Sequence, residues 1–122
     1  MRPSATTLWP PNHSLVGISI LGVTDADNDP VTIRIDQIKQ DEPTNGTGDG
    51  DTCPDAAGLG TATAQVRAER KGNGNGRVYT IYFTATDGRG GSAAGSVKVK
   101  VPKNPNSSPI DDGPNFVSTS CQ

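Results

Sequence analysis

A chain of 122 residues suits one domain with one core, and a hydrophobic share of 31% is low for a compact globule. Gly (15) and Pro (10) make up about a fifth of it, which predicts many turns and little helix without reaching the composition of a disordered chain. A formal net charge of -2 gives no electrostatic reason to expect nucleic acid or an anionic membrane as partner. No stretch approaches the roughly 20 apolar residues that insert into a bilayer. The N-terminus lacks the basic-then-apolar layout of a signal peptide, so an exported domain of this kind is expected to travel within a longer protein.

In chain order, a short first strand is expected near Ala5 to Trp9. Residues 14–24 then alternate through Val16, Ile18 and Ile20, and residues 31–36 through Val31, Ile33 and Ile35 against Thr32, Arg34 and Asp36. Residues 40–60 hold five Gly, two Pro, four Asp and one Glu with almost nothing apolar, which reads as an inserted acidic loop. Residues 61–69 set Ala62, Ala64, Val66 and Ala68 against Thr63, Gln65, Arg67 and Glu69. Lys71 to Gly76 reads as a hairpin turn, because Gly and Asn tolerate positive φ. The strand expected over 77–86 carries Tyr79, Ile81 and Phe83 on one face; after a turn at Gly88 to Gly91, residues 93–101 point Val97, Val99 and Val101 inward and Lys98 and Lys100 outward. Six or seven short strands of period two point to an antiparallel β-sandwich over 1–102. Residues 103–122 form a Pro-, Asn- and Ser-rich tail anchored only at Phe116 and Val117.

Acids are concentrated in one part of the chain. Residues 25–55 hold nine acids against only Arg34 and Lys39. Asp25, Asp27 and Asp29 occupy alternate positions, and crowded carboxylates repel unless a cation neutralises them; oxygen-rich clusters of this kind suit Ca²⁺. The spacing counts against an EF-hand, since its sixth and twelfth positions would be Pro30 and Asp36 rather than Gly and Glu. Alternating strand directions bring the Asp25–Asp29 loop and Asp87 to one pole. The inserted segment must climb to that pole, which is expected to bring Asp49, Asp51 and Asp55 there too. Seven carboxylates would suit more than one Ca²⁺, with bridging acids, backbone carbonyls and water completing each shell. Cys53 and Cys121 have no Cys or His at zinc spacing nearby; a disulfide tying the tail to the acidic loop is the simpler expectation.

Val23-Thr24-Asp25-Ala26-Asp27, Phe83-Thr84-Ala85-Thr86-Asp87-Gly88 and the alternating close Gly95 to Val101 resemble the cadherin-like, immunoglobulin-type repeats of bacterial surface and secreted proteins. The resemblance implies calcium ligands at Asp25, Asp27 and Asp87, and an extracellular location. Ala68-Glu69-Arg70 is a faint counterpart of the family's Asp-Arg-Glu motif. Val101-Pro102-Lys103-Asn104-Pro105 stands where the family has its Asp-x-Asn-Asp-Asn linker, which argues against calcium-rigidified tandem stringing. Leu8-Trp9-Pro10-Pro11-Asn12-His13, with Asp41-Glu42-Pro43, Gly48-Asp49-Gly50-Asp51 and Arg67-Ala68-Glu69-Arg70, is similar to an immunoglobulin-like module of long exported bacterial proteins, which implies an accessory role beside neighbouring domains.

Catalytic readings are thin. His13 is the only histidine and has no nucleophile at a recognisable spacing. Asp41-Glu42 are neighbours at a strand end and tend to point apart, unlike a glycosidase pair. Two expectations remain. One is a non-catalytic calcium-binding module that spaces, anchors or oligomerises a larger extracellular protein. The other is a carbohydrate-binding module attached to a secreted polysaccharide-active enzyme, with Trp9, Tyr79 or Tyr82 stacking on a sugar. An aromatic content of 4% favours the first.

Overall fold

The computed structural model describes residues 2–9, 14–23, 31–41, 56–68, 76–87, 90–102, 113 and 116–119. These build eight strands: β1 Arg2–Pro3, β2 Leu15–Leu21, β3 Thr32–Gln40, β4 Ala56–Ala57, β5 Thr63–Arg67, β6 Arg77–Thr86, β7 Ser92–Val101 and β8 Phe116–Val117. They form two four-stranded sheets, β1-β2-β5-β4 and β7-β6-β3-β8, in which all pairings between named strands are antiparallel. The described chain contains no helix.

The period-two pattern fills the space between the sheets. Ile18 and Ile20 from β2, Ala64 and Val66 from β5, Ile81 and Phe83 from β6 and Val97, Val99 and Val101 from β7 share one buried cluster. Burying a Val, Ile or Phe side chain contributes about 1.5–3 kcal/mol, so this set is the main source of cohesion in a chain poor in apolar residues.

β3 is longer than its alternation suggests. Ile35 lies opposite Phe83 and Gln37 opposite Tyr82, so Asp36 is an extra residue in the ladder, a β-bulge. The bulge shifts the inward parity from Ile33 and Ile35 to Ile38 and Gln40, and Ile35, Ile38 and Gln40 are all fully buried. Asp36 stays on the outer face, where its carboxylate accepts from the Thr84 hydroxyl and pairs with Arg34 at 3.3 Å.

Two short segments are paired as well. β4 lies within the expected acidic loop and pairs with Gln65 and Val66, and β8 falls at the two residues expected to anchor the tail and pairs with Lys39 and Gln40. The first expected strand is also displaced. Pairing begins at Arg2–Pro3, and over 5–9 only Thr7 makes a bridge, parallel, to Lys100.

The flanks of the sandwich are stitched by backbone bonds. On one side Leu8 N–H donates to Lys100 O at 2.8 Å, and Lys100 N–H to Thr6 O at 2.9 Å. On the other, Gly60 N–H donates to Ile35 O and Ile35 N–H to Thr61 O, both at 2.8 Å. Lower on β3, Ser118 N–H donates to Ile38 O at 2.9 Å while Ser118 O accepts from Ala56 N–H at 3.0 Å. Gly58 makes the turn into β5, with φ of 104° and an added Cβ only 2.4 Å from Thr63 O.

Candidate functional site

The end of the sandwich where β2 and β6 finish and β3 and β7 begin, here the upper pole, carries the cavity of interest. It measures about 260 Å³ and is lined by Val23, Val31, Ala85, Thr86, Asp87, Gly91, Ser92 and Ala93. Val23 and Val31 bracket the segment that carries Asp25, Asp27 and Asp29, so both ends of that acidic loop are fixed beside Asp87. Asp25 and Asp29 are each two residues from such an end. The three aspartates themselves lie outside the described residues.

Asp87 is held by its own turn. Its N–H donates to Gly91 O at 3.1 Å, and its Oδ1 accepts from Gly91 N–H at 2.9 Å. A Cβ at position 91 would fall 2.5 Å from Asp87 Oδ2, so glycine there is what lets the carboxylate fold back across the turn. The described part of the pole thus offers one oriented carboxylate and the hydroxyl-bearing Thr86 and Ser92 beside an apolar floor, a hard-oxygen set that fits Ca²⁺ in kind and needs further acids in number. No group of three or more His, Cys, Asp or Glu comes together among the described residues.

The inserted segment is described only from Ala56 onward. The climb to the upper pole is made by the chain from Ala56 onward: Ala56 lies opposite Val66, Val66 opposite Val16, and Thr61 reaches Ile35. Ala56 therefore enters the sheet five β2 residues below Leu21, about 17 Å from the pole at ordinary strand rise. Asp49, Asp51 and Asp55, the acids expected at this pole, lie outside the described residues. Cys53 and Cys121 also lie outside them.

The candidate aromatics separate. Tyr79 is fully buried, so its ring presents no face to a sugar. It faces inward because it shares the parity of Ile81 and Phe83, and that parity was the available signal. Tyr82 is half-buried on the outer face of β6, opposite Gln37 and Ser96. Trp9 is 43% exposed and follows Leu8, which bonds β7 at Lys100, about four strand residues away from the level of Tyr82. No stacked aromatic pair is formed between them.

No protein-family model, curated protein or solved structure matches this chain.

At the opposite pole lies a polar cluster that the sequence reading missed. Arg77 and Gln40 are fully buried and Asp41 is 7% exposed. Asp41 extends the ladder beyond β3: its N–H donates to Val78 O at 3.3 Å and its Oδ1 accepts from Val78 N–H at 2.9 Å. Arg77 donates from its guanidinium to the Tyr79 hydroxyl at 3.0 Å and stands 5.6 Å from that ring's centroid. The Tyr79 hydroxyl in turn donates to Arg67 O at 2.8 Å. A cation next to the Gly-rich 72–76 turn reads as a solvated charge, and only the position of Arg77 two residues before Tyr79 on an inward face hinted otherwise.

Proposed function

We propose that this chain is a non-catalytic calcium-binding accessory module of a larger extracellular bacterial protein, serving to space, anchor or oligomerise its neighbours. The observation that carries the reading is the shared cavity of Val23, Val31 and Asp87, which fixes both ends of the Asp25–Asp29 loop beside a preoriented carboxylate. Asp25, Asp27, Asp29 and Asp87 form the core of the proposed ligand set, with Asp49, Asp51 and Asp55 as its further candidates. The strand order supports an immunoglobulin-like, cadherin-like sandwich. Naming β1 to β7 as A to G, the sheets run A-B-E-D and G-F-C, the immunoglobulin constant-type arrangement, with β8 added beside C.

Calcium here acts by mass action on the folded state. An ion present at about a hundred times its dissociation constant stabilises the fold by about 2.7 kcal/mol, which for this length corresponds to roughly 10 °C in Tm. The test is a calorimetric melt in millimolar Ca²⁺ against excess chelator, with a native mass spectrum counting ions and protomers. A fall of about 10 °C on chelation, with ions seen on the folded protein, supports the reading. Indifference of Tm to both conditions refutes it.

A further inference from the structure

Backbone directions along β7 show which part of its outer edge is open. Lys100 turns both of its peptide groups away from β6, since its N–H donates to Thr6 O at 2.9 Å and its O accepts from Leu8 N–H at 2.8 Å. Val78, its partner in the ladder, likewise turns away from β7 and exchanges bonds with Asp41. Alternate residues of an antiparallel strand point their N–H and C=O the same way. Ser92, Ala94 and Ser96 therefore aim theirs at the same outer edge as Lys100. All three are exposed, and among the described residues none of them makes a backbone bond on that side.

Nothing in this stretch blunts the edge. Natural sheets protect their edges with charges, prolines, bulges or a covering segment. The ladder with β6 runs without a register shift from Thr86–Ser92 to Tyr82–Ser96, and Ser92-Ala93-Ala94-Gly95-Ser96 contains no proline, no charge and no large side chain. The β3 edge is covered by Gly60 and Thr61 at Ile35 and by Ser118 at Ile38. β1, at the adjoining edge of the other sheet, pairs with β2. The upper half of β7 is the exception.

Residue spacing makes this edge self-complementary. Two copies related by a twofold axis at Ala94 would set Ala94 opposite Ala94 and Ser92 opposite Ser96. Every such pair joins residues whose peptide groups point at the seam, the arrangement in which each pair exchanges both of its N–H···O bonds. Moving the axis to Ser96 would set Ser92 opposite Lys100, whose peptide groups Thr6 and Leu8 already hold. Moving it to Lys98 would bring two like charges face to face.

We propose that the upper half of β7 is a homodimerisation edge: Ser92–Ser96 pairs antiparallel with the same segment of a second copy, joining two sandwiches through one continuous sheet. So short a seam makes a small interface, which belongs with the weak, transient contacts that form at high local concentration. It gives the oligomerising role proposed above a surface, and it rests on strand geometry rather than on calcium.

The test combines sedimentation equilibrium with residue-resolved amide exchange of the unaltered chain from micromolar to millimolar. Both are run in chelator and in Ca²⁺, so the outcome does not depend on whether calcium binds. A reversible monomer–dimer equilibrium is expected, with exchange at the Ser92, Ala94 and Ser96 amides slowing about threefold or more at millimolar protein while that at Leu8 is unchanged. Ala94 is exposed, so a charge there leaves the core intact. Ala94→Lys and Ala94→Glu are each expected to weaken dimerisation about fivefold, because like charges then face each other across the axis. An equal mixture of the two variants is expected to restore it. Exchange in the unaltered chain decides alone if either variant folds poorly. A chain that stays monomeric to millimolar, a dimer whose Ser92, Ala94 and Ser96 amides exchange as in the monomer, or a mixture that pairs no better than either variant alone would each overturn the proposal.

Discussion

Replacing Tyr79 by Phe deletes one oxygen atom and leaves the ring in the core. Among the described residues that oxygen donates to Arg67 O at 2.8 Å and accepts from Arg77 at 3.0 Å. The guanidinium belongs to a fully buried residue, so water is poorly placed to substitute. Leaving a buried donor or acceptor without its bond costs about 1–3 kcal/mol, with charged groups at the upper end. The carbonyl of Arg67 belongs to a half-buried residue and falls at the lower end. Together the loss is about 3 kcal/mol, roughly 12 °C in Tm for a two-state domain of this length. Calorimetry of Tyr79→Phe reads it directly, and urea unfolding gives it independently. A cycle with Arg77→Met then isolates the pair: Tyr79→Phe is expected to cost about 2 kcal/mol less when Arg77 is already gone, leaving about 1 kcal/mol for the Arg67 carbonyl. A Tyr79→Phe protein within 0.5 kcal/mol of the parent would show that the hydroxyl's bonds are matched by water in the unfolded chain, and the account of the lower pole would fail.

Asp27→Ala and, separately, Asp87→Asn are expected to remove most of the calcium-dependent part of the Tm while leaving the Tm in chelator within a few degrees, as read in paired melts. Gly58→Ala is expected to cost about 2–3 kcal/mol, because the turn needs φ of 104° and the new Cβ meets Thr63 O; Gly60→Ala, at φ of 79° with nothing near, should cost about 1 kcal/mol. Denaturant midpoints of the two variants test that ordering. Phe83→Ala is expected to lose about 3–5 kcal/mol from a site 2% exposed, with the chain largely unfolded near 37 °C by circular dichroism.

The long strands were legible because one face of each is buried, and burial forces alternation. Ile18 and Ile20, Ala64 and Val66, and Val97, Val99 and Val101 all face the core as their spacing dictates. The bulge at Asp36 was not legible, since one extra residue resets parity and the second half of β3 then reads as unrelated polar sequence. β4 and β8 are two residues each, too short for alternation to show; β8 coincides with the Phe116–Val117 anchor expected in the tail, whereas β4 places only the small side chain of Ala56 in the core. At the upper pole, the convergence of Asp87 with the ends of the Asp25–Asp29 loop followed from strand direction alone. Of the inserted segment, the described part from Ala56 onward climbs as a small paired strand, a pairing that no alternation in its sequence announced.

The stitched flanks bear on how many copies of such a domain can be crowded together. A strand edge with free amides and carbonyls is a template for a second chain. Along β3 that edge is taken by Gly60 and Thr61 at Ile35 and by the C-terminal segment from Ile38 to Gln40. Along β7, Thr6 and Leu8 occupy it at Lys100, and Lys98 and Lys100 set two positive charges on that strand. Both edges of the sheet built on β6 are therefore partly occupied, along β3 by the 60–61 and C-terminal segments and at the lower end of β7 by residues 6–8, which leaves a neighbouring copy fewer free amides and carbonyls to pair with there.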